Sequence, residues 1–199
     1  MSESSHTRFH VFLAALLAVL IGLFAAGCGG DEPTGEGDTP PNYSKLTNDS
    51  PLPLKALYEE GNELIDGGQD SFDSQMLELR GYPAVINIWA SWCGPCRAEF
   101  PHFQDAAARF GQKVAFVGVN SSDDDELAQK FLDDNPVPYP SFSDPDAEVK
   151  DSLDATRGFP ATAFFDSEGR RTFTKIGQYA TLEDLEADVQ TYAIKGGGR

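Results

Sequence analysis

The feature that most constrains the fold of this chain is a pair of cysteines directly after an apolar stretch. Cys93 and Cys96 belong to the segment Trp92-Cys93-Gly94-Pro95-Cys96, which follows the run Pro83-Ala84-Val85-Ile86-Asn87-Ile88-Trp89 and opens a helical segment. A helix N-terminus carries partial positive charge and unpaired N–H groups, so it favours the thiolate form of a cysteine placed there. The pattern predicts a strand, a tight turn and a helix that begins with a dithiol.

The spacing of the two cysteines indicates redox chemistry. Cys93 is the predicted nucleophile, and Cys96, one helical turn later, is placed to close on it and release a mixed disulfide. The alternatives are a structural disulfide and half of a zinc site, but zinc needs a further pair of ligands at suitable spacing. The remaining cysteine and histidines of the chain are Cys28, His6, His10 and His102. We therefore expect no metal and no cofactor.

Three motifs, in order along the chain, resemble a known family. They are the stretch from Asn87 to Pro101 around the dithiol, the run Val114-Ala115-Phe116-Val117-Gly118-Val119-Asn120 followed by acidic residues, and Gly158-Phe159-Pro160-Ala161-Thr162. Together they resemble the thioredoxin fold and, more closely, the membrane-tethered bacterial proteins of the TlpA/ResA type. The resemblance covers about residues 60 to 194.

The alternation of apolar and polar stretches agrees with that fold, an α/β architecture with a mixed central sheet flanked by helices. Residues 54 to 82 are hard to interpret beyond a short strand at Leu64-Ile65 and a helical turn from Met76 to Leu79. The other predicted strands are 84–89, 114–119, 161–166 and 170–176, with an extended edge at 139–142. The predicted helices are 94–110, 124–134, 146–153 and 181–193, the last capped by Thr181. Pro101 predicts either a kink in the first long helix or a restart of that helix.

Glu99 lies three residues after Cys96, which is helical spacing beneath the dithiol. A buried acid at this place has a raised pKa and can move protons to or from the thiols. The resemblance implies such a role, because members of the ResA type carry a functional glutamate here, whereas ordinary thioredoxin has an aspartate at the position of Asn87. The alternative is an exposed glutamate near the helix N-terminus.

Three further residues are candidates for binding a substrate. Trp92 is expected either to form a flat apolar patch beside the sulfur or to pack under the loop. The resemblance implies that Pro160 is a cis-proline facing the dithiol, which brings the backbone of Phe159 into position to pair with a substrate strand. A trans proline that opens a strand is the alternative.

The N-terminus predicts export. Residues 11 to 26 form an apolar run behind Arg8, and small residues precede Cys28, which resembles the site where bacterial lipoproteins are cleaved and acylated. We expect a signal peptide at 1–27, with an uncleaved membrane anchor as the alternative. Either one places the rest of the chain at the extracytoplasmic face of the membrane, attached through an N-terminal lipid in the first case.

The chain after Cys28 divides by composition. Residues 28–53 are rich in Gly, Pro and acidic residues and predict a flexible linker, followed by a thioredoxin-like domain at 54–195 and a tail at 196–199. The net charge of −17 argues against nucleic acid and anionic lipid headgroups as partners. The expected partners are protein thiols and disulfides.

The function expected from these features is that of a membrane-attached thiol:disulfide oxidoreductase. The resemblance implies reduction of apocytochrome c cysteines, with electrons from an integral-membrane thiol donor. Some exported relatives work in the opposite direction as oxidants, and the sequence leaves the direction open. A thiol peroxidase and a non-catalytic binding domain are the alternatives from other classes; the first lacks its cysteine motif here, and the intact dithiol argues against the second.

Overall fold

The computed structural model describes residues 41–197. The predicted signal peptide, the predicted acylation site Cys28 and the first part of the predicted linker lie outside this range. Within the described range, no helix combines the length and apolar character that crossing a bilayer requires.

Six strands form one mixed sheet in the order β1-β4-β3-β2-β5-β6. The first four strands in that order run parallel, and β5 and β6 join as antiparallel neighbours. The predicted mixed sheet of the thioredoxin fold is thereby confirmed. The strands are β1 Leu64–Ile65, β2 Ala84–Trp89, β3 Ala115–Ser121, β4 Ser141–Asp144, β5 Ala161–Phe165 and β6 Arg171–Ile176.

Helices cover both faces of this sheet. They are α1 Ser44–Asp49, α2 Leu52–Glu59, α3 Gly68–Glu78, α4 Gly94–Phe110, α5 Asp125–Asp134, α6 Glu148–Ser152 and α7 Leu182–Asp188, followed by the π-helical segment Val189–Ile194. Trp89 packs edge to face on Phe100 of α4 with ring centroids 5.1 Å apart. On the opposite face, Phe142 of β4 packs on Phe72 of α3 at 5.9 Å. Every residue of β2 and β3 is buried, as expected for central strands covered on both sides.

The bounds of β2 and α4 agree with the predicted ones, but β4 does not lie at the edge. The prediction that residues 139–142 lie at the edge of the sheet was wrong. Leu64 and Ile65 pair in parallel with Ser141 and Phe142, so β1 lies outside β4. A two-residue strand carries too little pattern to reveal such pairing from sequence.

The folded chain also begins earlier than predicted. Helices α1 and α2 occupy part of the predicted flexible linker, and the predicted boundary at 53/54 falls inside α2. Leu46 and Leu54 are buried, and the Tyr58 hydroxyl donates a hydrogen bond of 2.7 Å to the carbonyl of Val114. Pro53 lies in the first turn of α2, where a missing N–H costs nothing, so the prolines of this stretch do not prevent helix formation.

Two local sequence signals, Pro101 in α4 and Thr181 before α7, can be compared with the observed helices. Helix α4 runs without interruption through Pro101, so a restart at this proline is excluded. The Thr181 side chain accepts a hydrogen bond from the Asp184 N–H at 3.2 Å, which confirms the predicted cap. The predicted final helix 181–193 is α-helical only to Asp188 and then continues as the π-helical segment.

Candidate active site

Cys93 and Cys96 meet at the N-terminus of α4. Cys93 is the N-cap residue with extended backbone, Gly94 and Pro95 form the first turn, and the sulfurs of Cys93 and Cys96 are joined in a disulfide with Cα atoms 5.3 Å apart. The backbone N–H of Cys96 also donates to Sγ of Cys93 at 3.2 Å. The sequence placed this pair correctly, because proline is favoured in the first helical turn and fixes where the helix begins.

The two cysteines differ in accessibility. Cys96 is fully buried at 0 % exposure, whereas Cys93 retains 4 % and lies between the exposed residues Trp92 and Gly94. Of the two residues, only Cys93 therefore retains any exposed surface. This asymmetry is what a nucleophile and a resolving cysteine require.

A carboxylate from the loop after β3 holds the segment that precedes the dithiol. Asp123 accepts hydrogen bonds from the backbone N–H of Ser91, from the Ser91 hydroxyl at 2.9 Å and from the Asn120 side-chain amide at 2.9 Å. Sequence reasoning did not single out Asp123, although the acidic residues that follow the second motif, Val114 to Asn120, were the available signal. The contact fixes the approach of the chain to Cys93.

Trp92 forms an exposed aromatic surface beside the dithiol. Its side chain is 59 % exposed, and its indole N–H donates to the carbonyl of Ser122 at 3.0 Å. Its ring meets the partly buried ring of Phe159 edge to face at 5.3 Å between centroids, and the Lys150 ammonium lies 5.5 Å from the centre of that second ring. Of the two predicted roles for Trp92, the exposed position agrees with the apolar patch.

The Phe159–Pro160 peptide bond is cis, as predicted. The next residue, Ala161, pairs with Ile88 near the end of β2 that leads to the dithiol, so Pro160 lies at the same end of the sheet as Cys93. The Pro160 carbonyl accepts a hydrogen bond of 2.8 Å from the Gly177 N–H. Two chain segments distant in sequence, around Trp92 and around Phe159, thus form one surface.

Glu99 lies buried beneath the first turn of α4. Its exposure is 0 %, and one carboxyl oxygen accepts a hydrogen bond of 2.9 Å from the Tyr179 backbone N–H. Burial raises the pKa of Glu99 from 4.5 to about 8, and this effect outweighs the Tyr179 N–H and the charge of Lys175, which both lower it. The alternative of an exposed helix glutamate is excluded. A carboxyl with such a pKa can both accept and return a proton near neutral pH.

The surroundings of Glu99 are unusually polar for a protein core. Asn87, Thr162 and Tyr139 are buried, and their side-chain polar atoms, like the second carboxyl oxygen of Glu99, have no hydrogen-bond partner within residues 41–197. Asn87 and Thr162 stand directly opposite each other on β2 and β5. Burial raises the pKa of Tyr139 and outweighs the neighbouring Asn87 side chain, which lowers it, so the Tyr139 hydroxyl stays protonated.

The fold and the dithiol together define a thioredoxin-like thiol:disulfide oxidoreductase. The chain belongs to the Redoxin family, whose family model matches residues 37–189. This agrees with the resemblance to the ResA type stated from the sequence.

Individual relatives carry corresponding names. The chain is 34% identical over 119 residues to "Thiol-disulfide oxidoreductase ResA" of Oceanobacillus iheyensis, a match that covers 59% of this chain and 60% of that protein. It is 29% identical over 186 residues to "Thiol:disulfide interchange protein DsbE" of Escherichia coli K12, covering 93% of this chain and 88% of that one. A solved structure of DsbF from Mycobacterium tuberculosis, in mixed oxidised and reduced forms, superposes with a TM-score of 0.52 at 33% identity and covers 56% of this chain and 81% of that one.

Proposed function

We propose that this protein is an extracytoplasmic, membrane-attached oxidoreductase that reduces disulfides in other proteins. The observation that carries the proposal is the arrangement of a slightly exposed Cys93, a buried Cys96 and a buried Glu99 with a raised pKa on the first two turns of one helix. A structural disulfide needs neither a buried acid beneath it nor an exposed aromatic surface beside it. Dithiol exchange uses both.

The proposed cycle begins with the reduced dithiol. The Cys93 thiolate attacks one sulfur of a substrate disulfide, so that a Cys93–substrate bond forms and the other substrate sulfur leaves as a thiolate. Cys96 then loses its proton, attacks the Cys93 sulfur and displaces the second substrate thiolate. The substrate has gained two electrons, and the protein is left with the Cys93–Cys96 disulfide that the structure contains.

Glu99 has the proposed role of general base in the second half of this cycle. Cys96 is fully buried, so its proton cannot pass directly to solvent. The carboxylate of Glu99, three residues further along α4, accepts that proton, and the elevated pKa of about 8 makes it a stronger base than an ordinary carboxylate. The role is a proton transfer that accompanies the bond change at sulfur.

Trp92, Phe159 and Pro160 are the proposed docking surface for the substrate polypeptide. Trp92 is the exposed apolar side chain next to Cys93, and the cis peptide before Pro160 turns the backbone of Phe159 toward the same end of the sheet. An extended substrate segment that pairs with this backbone would bring its own disulfide to Cys93.

We further propose that Cys28 carries a lipid and that residues 1–27 are removed as a signal peptide. The support is the apolar run at 11–26 and the small residues before Cys28. Mass spectrometry of the protein from membranes tests this directly, because acylation adds a defined mass to Cys28. Cys28→Ser should leave the protein unacylated. Recovery of an unmodified chain that starts at Met1 would contradict the proposal.

Apocytochrome c is the proposed substrate, and an integral-membrane thiol protein is the proposed electron donor. Equilibration of the dithiol with glutathione tests the direction of transfer. A reductase should have a reduction potential close to that of thioredoxin, about −270 mV, whereas an exported oxidant should have a reduction potential of about −120 mV. A value near the second figure would replace the reductase by an oxidant of secreted-protein thiols.

A further inference from the structure

A row of three polar residues crosses the sheet beneath α4. Asn87 of β2 stands opposite Thr162 of β5, and Thr162 stands opposite Lys175 of β6. Directly opposed residues of antiparallel strands share a face of the sheet. Because Trp89, two residues after Asn87, packs on α4, the whole row lies on the face that α4 covers. Lys175 is the outermost and only partly buried member.

Lys175 is connected to Glu99 through Tyr179. The Lys175 ammonium lies 4.9 Å from the centre of the Tyr179 ring, and the backbone N–H of Tyr179 is the group that binds the Glu99 carboxyl. In the part of the chain that the structure describes, this ammonium forms no ion pair. Its charge is therefore not neutralised by a nearer carboxylate before it acts on Glu99.

The other titratable groups around Glu99 are uncharged or acidic. Tyr139 approaches from the segment before β4 and stays protonated because burial raises its pKa. The Tyr179 hydroxyl donates to Asp188 of α7 at 2.8 Å. The dithiol lies on the same helix as Glu99 and is uncharged as a disulfide. Lys175 is the cation whose charge lowers the pKa of Glu99.

We propose that Lys175 is a positioning residue that tunes the proton affinity of Glu99 from the edge strand β6, with its ammonium held in place on the ring of Tyr179. The inference rests on the proposed function, in which Glu99 accepts the proton of Cys96. In that step the Cys96 S–H bond breaks and the proton moves to a Glu99 carboxyl oxygen. The freed thiolate forms the bond to the Cys93 sulfur as the bond between Cys93 and the substrate breaks and the substrate sulfur leaves as a thiolate. A cation near the carboxylate increases the fraction of Glu99 that is deprotonated and ready to accept.

The test is a ¹³C NMR titration of the glutamate side-chain carboxyls in the full chain. Glu99→Gln identifies the Glu99 signal by its loss. Lys175→Met removes the charge at similar length, Lys175→Arg retains it, and Lys113→Met removes one charge from an exposed position beyond the far end of α4. We expect the Glu99 midpoint to rise by about half a pH unit or more in Lys175→Met. It should remain near the wild-type value in Lys175→Arg and in Lys113→Met.

Two results would overturn the inference. One is an unchanged Glu99 midpoint in Lys175→Met, and the other is an equal rise in Lys175→Met and Lys175→Arg, which would assign the effect to packing rather than charge. The titration does not depend on catalysis, so it separates this inference from the proposed function. A shifted midpoint together with unaltered disulfide exchange in Glu99→Gln would support the role of Lys175 and reject the role of Glu99 as a base.

Discussion

The backbone N–H of Cys96 points at the sulfur of Cys93, with nitrogen and sulfur 3.2 Å apart. Cys93 is the N-cap of α4, so its sulfur lies where the unpaired N–H groups and the positive end of the helix dipole converge. When the disulfide is reduced, both effects favour a negative charge on this sulfur. Cys96 is inside the first turn, and its sulfur accepts no such hydrogen bond from residues 41–197, so the two cysteines have different surroundings.

The first prediction concerns these separate roles. Cys93→Ser should abolish reduction of a protein disulfide, because no nucleophile is left at the accessible position. Cys96→Ser should retain the attack but stop before release, and it should accumulate a mixed disulfide between Cys93 and the substrate. Mass spectrometry of the non-reduced adduct measures this. Equal residual activity of the two variants would show that either cysteine can initiate exchange, contrary to the proposed cycle.

The second prediction concerns stability and pH at Glu99. The pKa of Glu99 rises from 4.5 to about 8 on folding, so the folded protein binds this proton more tightly than the unfolded chain does. The stability that follows is fully present below pH 4.5 and is lost as the pH rises through about 8. Glu99→Gln removes this dependence. Between pH 4.5 and pH 7, the free energy of unfolding of the wild type should therefore decrease by about 3 kcal/mol more than that of the variant.

Urea unfolding at a series of pH values provides this measurement, with Glu63→Gln at an exposed position as the matched control. The control should follow the wild-type curve. Parallel curves for Glu99→Gln and wild type would mean that Glu99 titrates normally in the folded state.

The third prediction concerns the surface formed by Trp92 and Phe159. Trp92→Ala should raise KM for a protein substrate by about tenfold, the equivalent of about 1.4 kcal/mol of lost binding. The rate with a small disulfide such as oxidised glutathione should change little, because such a molecule is too short to use the aromatic surface. Leu77→Ala is a suitable control, since Leu77 of α3 is 58 % exposed, close to the 59 % of Trp92. Equal losses with both substrates would indicate a role in holding the loop instead.

The fourth prediction concerns Asp123, which holds the segment before the dithiol. Asp123→Ala removes the acceptor for Ser91 and Asn120 and should lower the free energy of unfolding by about 1 to 3 kcal/mol. Exchange should also slow, because the chain that leads to Cys93 loses its fixed position. Asp146→Ala changes the same charge at an exposed site and serves as the control. Wild-type stability in Asp123→Ala would show that these hydrogen bonds are replaced by water at no cost.

The parts of the fold that were predictable have strong local signals. The apolar run of β2 and the Gly-Pro turn between the cysteines fix where the strand ends and the helix begins, and both bounds of α4 were predicted. The cis peptide at Pro160 came from the resemblance rather than from any local pattern. Burial of Glu99 was one of two alternatives, because spacing along a helix gives the face but not what covers that face.

The parts that were missed depend on contacts between distant segments. Helices α1 and α2 contain prolines and polar residues that are typical of a linker, and only the packing of residues such as Leu46 against the domain makes them part of it. Asp123 acts through a loop that approaches Ser91 only in the folded sheet. Lys175 is similarly connected to Glu99 only through Tyr179, whose backbone N–H meets the Glu99 carboxyl across 80 residues of sequence.

The most direct test of the account is the rate of alkylation of the reduced protein by iodoacetamide across a pH series, with each cysteine quantified by peptide mass spectrometry. The thiol of free cysteine has a pKa of about 8.5. Cys93 should react with a midpoint well below that value, while Cys96 should stay unreactive until higher pH. Ordinary titration of both thiols, or the earlier midpoint at Cys96, would contradict the assignment of Cys93 as the nucleophile.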